Sequence, residues 1–244
     1  MSNLKLNDSV GHWVAEHPHT ADIFETLKID YCCGGNQSLE EACWKSGLET
    51  LRVHSQLQRV IAGIDDDSVD DWLHASLSDL CNHIEQTHHA YLKAELSRLT
   101  DLIAMVKNTR GDACPEIVEV QQHFIALRNE MLPHTAREDG VLFPAIRHLE
   151  QFGALPDDRI HSIEKPIRAM LFEHLDVGDG LRNIRKAAND FAVPPNACDS
   201  YRDMLASLRR LETDTHHHIH KENHILFPRA IELESSLQTH NEAQ

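Results

Sequence analysis

One eleven-residue phrase occurs twice in this chain and constrains its fold more than any other feature. It reads His134-Thr135-Ala136-Arg137-Glu138-Asp139-Gly140-Val141-Leu142-Phe143-Pro144, and returns as His218-Ile219-His220-Lys221-Glu222-Asn223-His224-Ile225-Leu226-Phe227-Pro228. His, Glu and Leu-Phe-Pro keep the same offsets. In an α-helix, residues i and i+4 share a face, so each His stands one turn before its Glu and points the same way. Two such helices face to face supply two imidazoles and two carboxylates, a donor set suited to a pair of iron ions. A single His-x-x-x-Glu is ordinarily polar decoration near a helix end. Two copies with the same tail are not explained that way.

From Leu73 onward the pattern is helical, with little strand alternation. The first long helix is predicted over about 76–106, with Leu77, Leu80, Ile84, Leu92, Leu96, Leu99 and Ile103 as its apolar stripe. Arg110-Gly111-Asp112 and Pro115 break it. The second covers about 116–148 and carries Val120, Phe124, Leu127 and Met131 ahead of His134 and Glu138. The third runs Ile163, Ile167, Met170, His174, Val177, Leu181 and Ile184 in steps of four and three, and Pro194-Pro195 ends its segment. The fourth covers about 197–237, with Tyr201, Met204, Leu208 and Leu211 ahead of His218 and Glu222. Four amphipathic helices with short connections predict an all-α, up-down-up-down four-helix bundle over residues 74–238.

A small helical domain is expected before it, over residues 1–65. Short helices break near His17-Pro18, and the paired glycines of Asp30-Tyr31-Cys32-Cys33-Gly34-Gly35 force a turn. Ser38-Leu39-Glu40-Glu41 reads as a capping box, and a further helix follows over 51–64. Asp65-Asp66-Asp67-Ser68 then reads as an acidic linker.

His134, Glu138, His218 and Glu222 fall on stripes that otherwise hold Phe, Leu and Met. A buried, unpaired carboxylate costs several kcal/mol or forces the group to protonate, so two of them beside two histidines call for a cation. A buried His–Glu hydrogen bond on each helix is the bland alternative. His174 replaces an apolar residue in the third helix; alone it reads as a core histidine, beside the two repeats as a ligand. On the first helix, helical angles put His88 near the centre of the stripe and His89 toward its edge, so periodicity slightly favours His88 while both stay candidates. His83 falls on the opposite, solvated face, and Glu85 is placed to hydrogen-bond a ligand. His161 reads as surface, and most of His216, His217, His220 and His224 as exposed.

Composition narrows the class. The formal net charge is −16 with the 19 histidines neutral, which argues against a general binder of nucleic acid or anionic membrane. No apolar run approaches the roughly 20 residues of a membrane span, and MSNLKLNDSV lacks the core of a signal peptide, so a cytoplasmic location is expected. Cys32, Cys33, Cys43, Cys81, Cys114 and Cys198 include no Cys-x-x-Cys and read as reduced thiols.

Two parts of the sequence resemble one known family. Asp30-Tyr31-Cys32-Cys33-Gly34-Gly35 resembles the signature of a short N-terminal domain, and the paired His-x-x-x-Glu-x-x-[Val/Ile]-Leu-Phe-Pro phrases resemble hemerythrin-like bundles. Together, over nearly the whole chain, they are similar to the di-iron proteins called repair of iron centres. The resemblance implies two non-haem iron ions with an oxo or hydroxo bridge, held by His89, His134, Glu138, His174, His218 and Glu222. It selects His89 because His83, Ile84 and the later Leu96 and Leu99 fall in the family register, although the family has Tyr where this chain has His88. It implies repair of iron–sulfur clusters damaged by nitric oxide or oxidants, by supplying iron to damaged iron–sulfur proteins as clients. Capture of nitric oxide or dioxygen at the same site is the alternative it offers. It also offers Cys32 and Cys33 a role in handling iron or exchanging thiols. A homodimer is compatible with the sequence.

Overall fold

The computed structural model describes residues 4–63, 71–110, 114–156, 161–195 and 197–242. The acidic linker expected at Asp65–Ser68 and the break at Gly111-Asp112 lie outside them. Four short helices come first: α1 (Val10–Glu16), α2 (Ala21–Leu27), α3 (Leu39–Lys45) and α4 (Thr50–Ala62). The side chains of Ser9 and Ser38 cap α1 and α3 by accepting from His12 N and Glu41 N. The chain turns between α1 and α2 through the short 3-10 segment Pro18–Thr20, where the sequence breaks at His17-Pro18.

The bundle follows as α5 (Leu77–His83), α6 (Ala90–Arg110), α7 (Glu116–Arg137), α8 (Phe143–Phe152), α9 (Glu164–Ala187), α10 (Asp199–Lys221) and α11 (Phe227–Glu242). Seven helices make four rods, because three pairs are joined by single π-helical turns. These are Ile84–His89 between α5 and α6, Glu138–Leu142 between α7 and α8, and Glu222–Leu226 between α10 and α11. In the two repeats the proline of Leu-Phe-Pro explains the widening. Pro144 and Pro228 lack an N–H, and in an α ladder each ring would collide with the carbonyl four residues back. Phe143 N donates instead to Glu138 O, and Phe227 N to Glu222 O, five residues back.

The rods pack antiparallel in sequence order, α6 against α7 and α10, and α7 against α9. Their stripes form two apolar clusters at opposite ends of the bundle. One contains Leu80, Ile84, Phe143, Ile146, Ile167, Met170 and Phe227. The other contains Leu92, Leu96, Leu99, Phe124, Met131, Val177 and Leu211, and continues without interruption into Val10, Trp13, Phe24, Tyr31, Leu39 and Leu57 of the N-terminal helices. The polar residues of the repeats lie in the layer between the clusters.

The N-terminal docking corrects one expectation. Among His216, His217, His220 and His224 none is exposed, because α1, α2 and the Tyr31–Gly35 turn lie across α10 and the π turn that follows it. His216 Nδ1 meets Glu25 at 2.6 Å, His220 Nε2 meets the Gly11 carbonyl at 2.8 Å, and His224 Nε2 meets the Cys32 carbonyl at 2.8 Å. A Cβ at Gly11 would fall 2.5 Å from the His224 ring, so glycine is needed for the approach. His83 is also half-buried, its ring tilted by 33° against Trp72 at 4.2 Å between centroids.

Sharing one core makes the two parts unfold together. Trp13 is fully buried, and Trp13→Ala is expected to lower stability by about 3–5 kcal/mol. Chemical denaturation followed by circular dichroism should show one transition moved to lower denaturant. Two transitions, with only the smaller one moved, would mean that the N-terminal helices form an independent unit.

Candidate metal centre

Six side chains converge between the two apolar clusters, and all are buried: His89, His134, Glu138, His174, His218 and Glu222. They form two groups of four, His89, Glu138, His218 and Glu222, and His134, Glu138, His174 and Glu222. Within each group the donor atoms lie within 4.8 Å of one another, the span of a single ion's ligands. Both carboxylates belong to both groups. The arrangement could therefore hold two cations, each with two imidazole nitrogens and both cations sharing Glu138 and Glu222.

The donor set fits metal and fits little else. Glu138 and Glu222 are each 0% exposed, and both oxygens of Glu138 and Oε2 of Glu222 lack a well-aligned hydrogen bond among the described residues, their nearest partners being the Nε2 atoms of His134, His89 and His174 at 3.2, 3.5 and 3.2 Å. Buried carboxylate oxygens without donors cost several kcal/mol unless a positive charge faces them. The histidines are oriented for that charge. Their Nε2 atoms face inward, His89 to His218 at 2.9 Å and His134 to His174 at 3.0 Å. Outward, Nδ1 of His89 meets Asp139 at 2.5 Å, that of His134 meets Glu173 at 2.7 Å, and that of His174 meets Asn223 Oδ1 at 2.7 Å. A proton held on Nδ1 by an outer acceptor leaves the Nε2 lone pair for the interior, the usual arrangement behind a metal-binding imidazole.

The π turn decides the first helix. In an uninterrupted α-helix His88 would lie four residues after the buried Ile84 and share its face. The widened turn over Ile84–His89 inserts one residue, shown by the bond from Ala90 N to Glu85 O, so His89 takes that place. His88 is buried beside it but turned away. Its Nδ1 meets Asp214 at 2.9 Å, its Nε2 accepts from Lys221 at 3.0 Å, and its ring stacks parallel on His218. Burial, with Lys221 adding to it, pushes His88 down to about 2, which keeps it neutral. Glu85 is committed elsewhere, to Arg147 at 2.6 Å, and orients no histidine of the site.

Four residues that periodicity does not single out complete the surroundings: Asp139, Asn223, Asp214 and Lys221. The first two had a readable signal, since each directly follows the Glu of its repeat. Asp214 and Lys221 had none, because their partner His88 is displaced by a backbone irregularity. Cys32 is buried and Cys33 half-buried in the turn outside the site, with their sulfurs 3.8 Å apart and Asp30 beside them. The neighbouring Cys33 thiol and burial push the Cys32 thiol well above its ordinary range.

Without a bound cation, protons take over part of its role. Burial alone would lower both His89 and His134. The Asp139 hydrogen bond together with Glu222 and Glu138 instead raises His89 to about 10, and Glu138, Glu222 and Glu173 raise His134 to about 9. Glu222 is held well below its ordinary value despite burial, by His218, His174 and His89. Each group thus carries one imidazolium proton at neutral pH, and a cation must displace it. Loading the metal-free protein at pH 7 in weak buffer should release about two protons per chain, and apparent affinity should fall as pH falls. Release of no protons, measured by titration calorimetry in buffers of different ionisation heat, would contradict this site.

Comparison with known proteins agrees with the geometry. The hemerythrin HHE cation binding domain matches residues 83–230, and a domain of unknown function, DUF542, matches residues 6–61. The chain is 30% identical over 227 residues to the iron-sulfur cluster repair protein YtfE of Pectobacterium atrosepticum, covering 92% of this chain and 97% of that protein. It is 31% identical to the protein of the same name from Edwardsiella ictaluri, over 91% of this chain and 96% of the other. It is 27% identical to the iron-sulfur cluster repair protein ScdA of Staphylococcus epidermidis, over 92% of this chain and 98% of that one. Among the described residues no helix is long and apolar enough to cross a membrane. The chain belongs to the family of the iron–sulfur cluster repair proteins, with a hemerythrin cation binding domain behind a DUF542 domain.

Proposed function

We propose that this protein holds two iron ions between Glu138 and Glu222 and uses them to repair damaged iron–sulfur clusters in client proteins. The observation that carries this reading is the pair of four-residue groups sharing two carboxylates, in a chain whose similarity to proteins named for cluster repair runs through both its parts. Imidazole and carboxylate donors in this ratio suit iron. Four protein donors per ion leave coordination positions open, and iron bound there would supply redox chemistry and places for a small ligand. His89 and His218 would hold one ion and His134 and His174 the other. Asp139, Glu173 and Asn223 keep the Nδ1 protons outward, so the Nε2 atoms stay available as ligands. The flanking apolar clusters keep bulk water from the layer.

In this account iron supply is the repair step, and damage by nitric oxide or oxidants is what creates the need. A carboxylate-bridged pair suits that work, because protonating or displacing one shared Glu weakens both ions together. The test adds purified, iron-loaded protein to a client enzyme whose cluster has been destroyed by nitric oxide. Recovery of client activity faster than with the same amount of free ferrous iron is the expected result. The Glu138→Gln protein, lacking a carboxylate common to both groups, should give no recovery above that control. Equal recovery from free iron would remove donation as the function. The open positions favour a second reading, capture of nitric oxide or dioxygen without turnover. It predicts a reversible spectral change on gas exposure and no rescue of the client.

A further inference from the structure

The two repeats differ at the position after the glutamate. Asp139 follows Glu138 and accepts from His89 Nδ1; Asn223 follows Glu222 and accepts from His174 Nδ1. A carboxylate offers only acceptors, whereas an amide also has a donor. Asn223 uses that donor outside the site, since its Nδ2 donates to the carbonyl of Cys32 at 3.3 Å. His224 approaches the same carbonyl at 2.8 Å. An aspartate at 223 would turn a second acceptor toward that carbonyl and could not make the contact.

The same turn reaches His174 by a second route. Cys33 Sγ donates to the His174 backbone carbonyl at 3.1 Å. It sits in a notch left by Gly178, where a Cβ would come within 3.2 Å of the sulfur. The Cys32–Cys33 turn therefore bears on one histidine twice, on its ring through Asn223 and on its backbone through the Cys33 thiol. The other group is supported by different residues, with Asp139 holding His89 and His88 stacked on His218.

We propose that Asn223 is a positioning residue that makes iron retention at the His134–His174 position depend on the Cys32–Cys33 turn more strongly than retention at the His89–His218 position does. The inference rests on the two-iron reading. Its consequence is unequal iron: a chemical change at Cys33 that no longer fits the Gly178 notch lifts the turn, frees the Asn223 amide and loosens one ion of the two. The turn is then the outer part of the metal centre, and thiol chemistry there selects which iron leaves.

The test follows iron loss from the full-length, iron-loaded protein to a ferrous chelator, with iron content and Mössbauer spectra measured before and after. Asn223→Ala removes the acceptor for His174 and should weaken one of the two irons about 10- to 100-fold and the other less. Asn223→Asp keeps that acceptor and loses only the donor to Cys32, so it should retain both irons. Alkylation with iodoacetamide should free one iron from the wild type, none from Cys33→Ala, and release it more slowly from Asn223→Asp, where only the contact of Cys33 with the His174 carbonyl is left to break. Loss of both irons at the same rate, or an alkylated Asn223→Asp protein that sheds iron like the wild type, would overturn the inference while leaving two irons in place. A wild-type protein that binds a single iron would instead overturn the two-iron reading, and this inference with it.

Discussion

Two carboxylates at the centre of a helical bundle, with no exposure to water and too few hydrogen-bond donors, set the terms for the rest of this protein. Glu138 and Glu222 could be buried at this depth as neutral acids, as ion pairs, or as metal ligands. For Glu222 its histidine neighbours His218, His174 and His89 favour the ionised form against burial. Ion pairing is what remains without a cation, through imidazolium protons on His89 and His134. It leaves Glu138 with contacts of 3.2 Å to His134 Nε2 and 3.5 Å to His89 Nε2 in place of well-aligned hydrogen bonds. Two shared cations answer that charge with one arrangement, and every nearby feature is consistent with them: inward Nε2 atoms, outward Nδ1 acceptors and an apolar cluster on either side.

The π turns connect this chemistry to the sequence. Leu-Phe-Pro places a proline that an α ladder accommodates poorly, and in both repeats the ladder widens directly after the glutamate. The repeat is thus a motif of backbone shape as much as of ligands. The first helix carries a π turn with no proline, and there the sequence alone is ambiguous. Angles of 100° per residue point to His88, whereas one inserted residue delivers His89. The resemblance selected His89, and the π turn in this chain places His89 at the site.

Other parts of the site were legible to different degrees for similar reasons. His134, Glu138, His218 and Glu222 follow from simple i, i+4 geometry on apolar stripes, and His174 from a single break in a regular series. The four long rods follow from their stripes and breakers, with ends displaced by a few residues. The four histidines flanking the second repeat could not be read, because their burial comes from the N-terminal helices and not from their own helix. Periodicity describes one element at a time and is blind to what lies across it. The role of Asn223 was hidden for the same reason, since half of its hydrogen bonding goes to a turn nearly two hundred residues earlier.

The N-terminal helices are continuous with the bundle core, and their cysteine turn sits on the outer supports of His174, so the chain reads as one structure organised around a layer of charge. Two metal ions in this layer would share Glu138 and Glu222. Anomalous diffraction from crystals of the iron-loaded protein, recorded on both sides of the iron absorption edge, tests that arrangement most directly. Two iron peaks are expected, one between His89 and His218 and one between His134 and His174, with both carboxylates between them. A single peak, or iron found outside the Glu138–Glu222 layer, would contradict it.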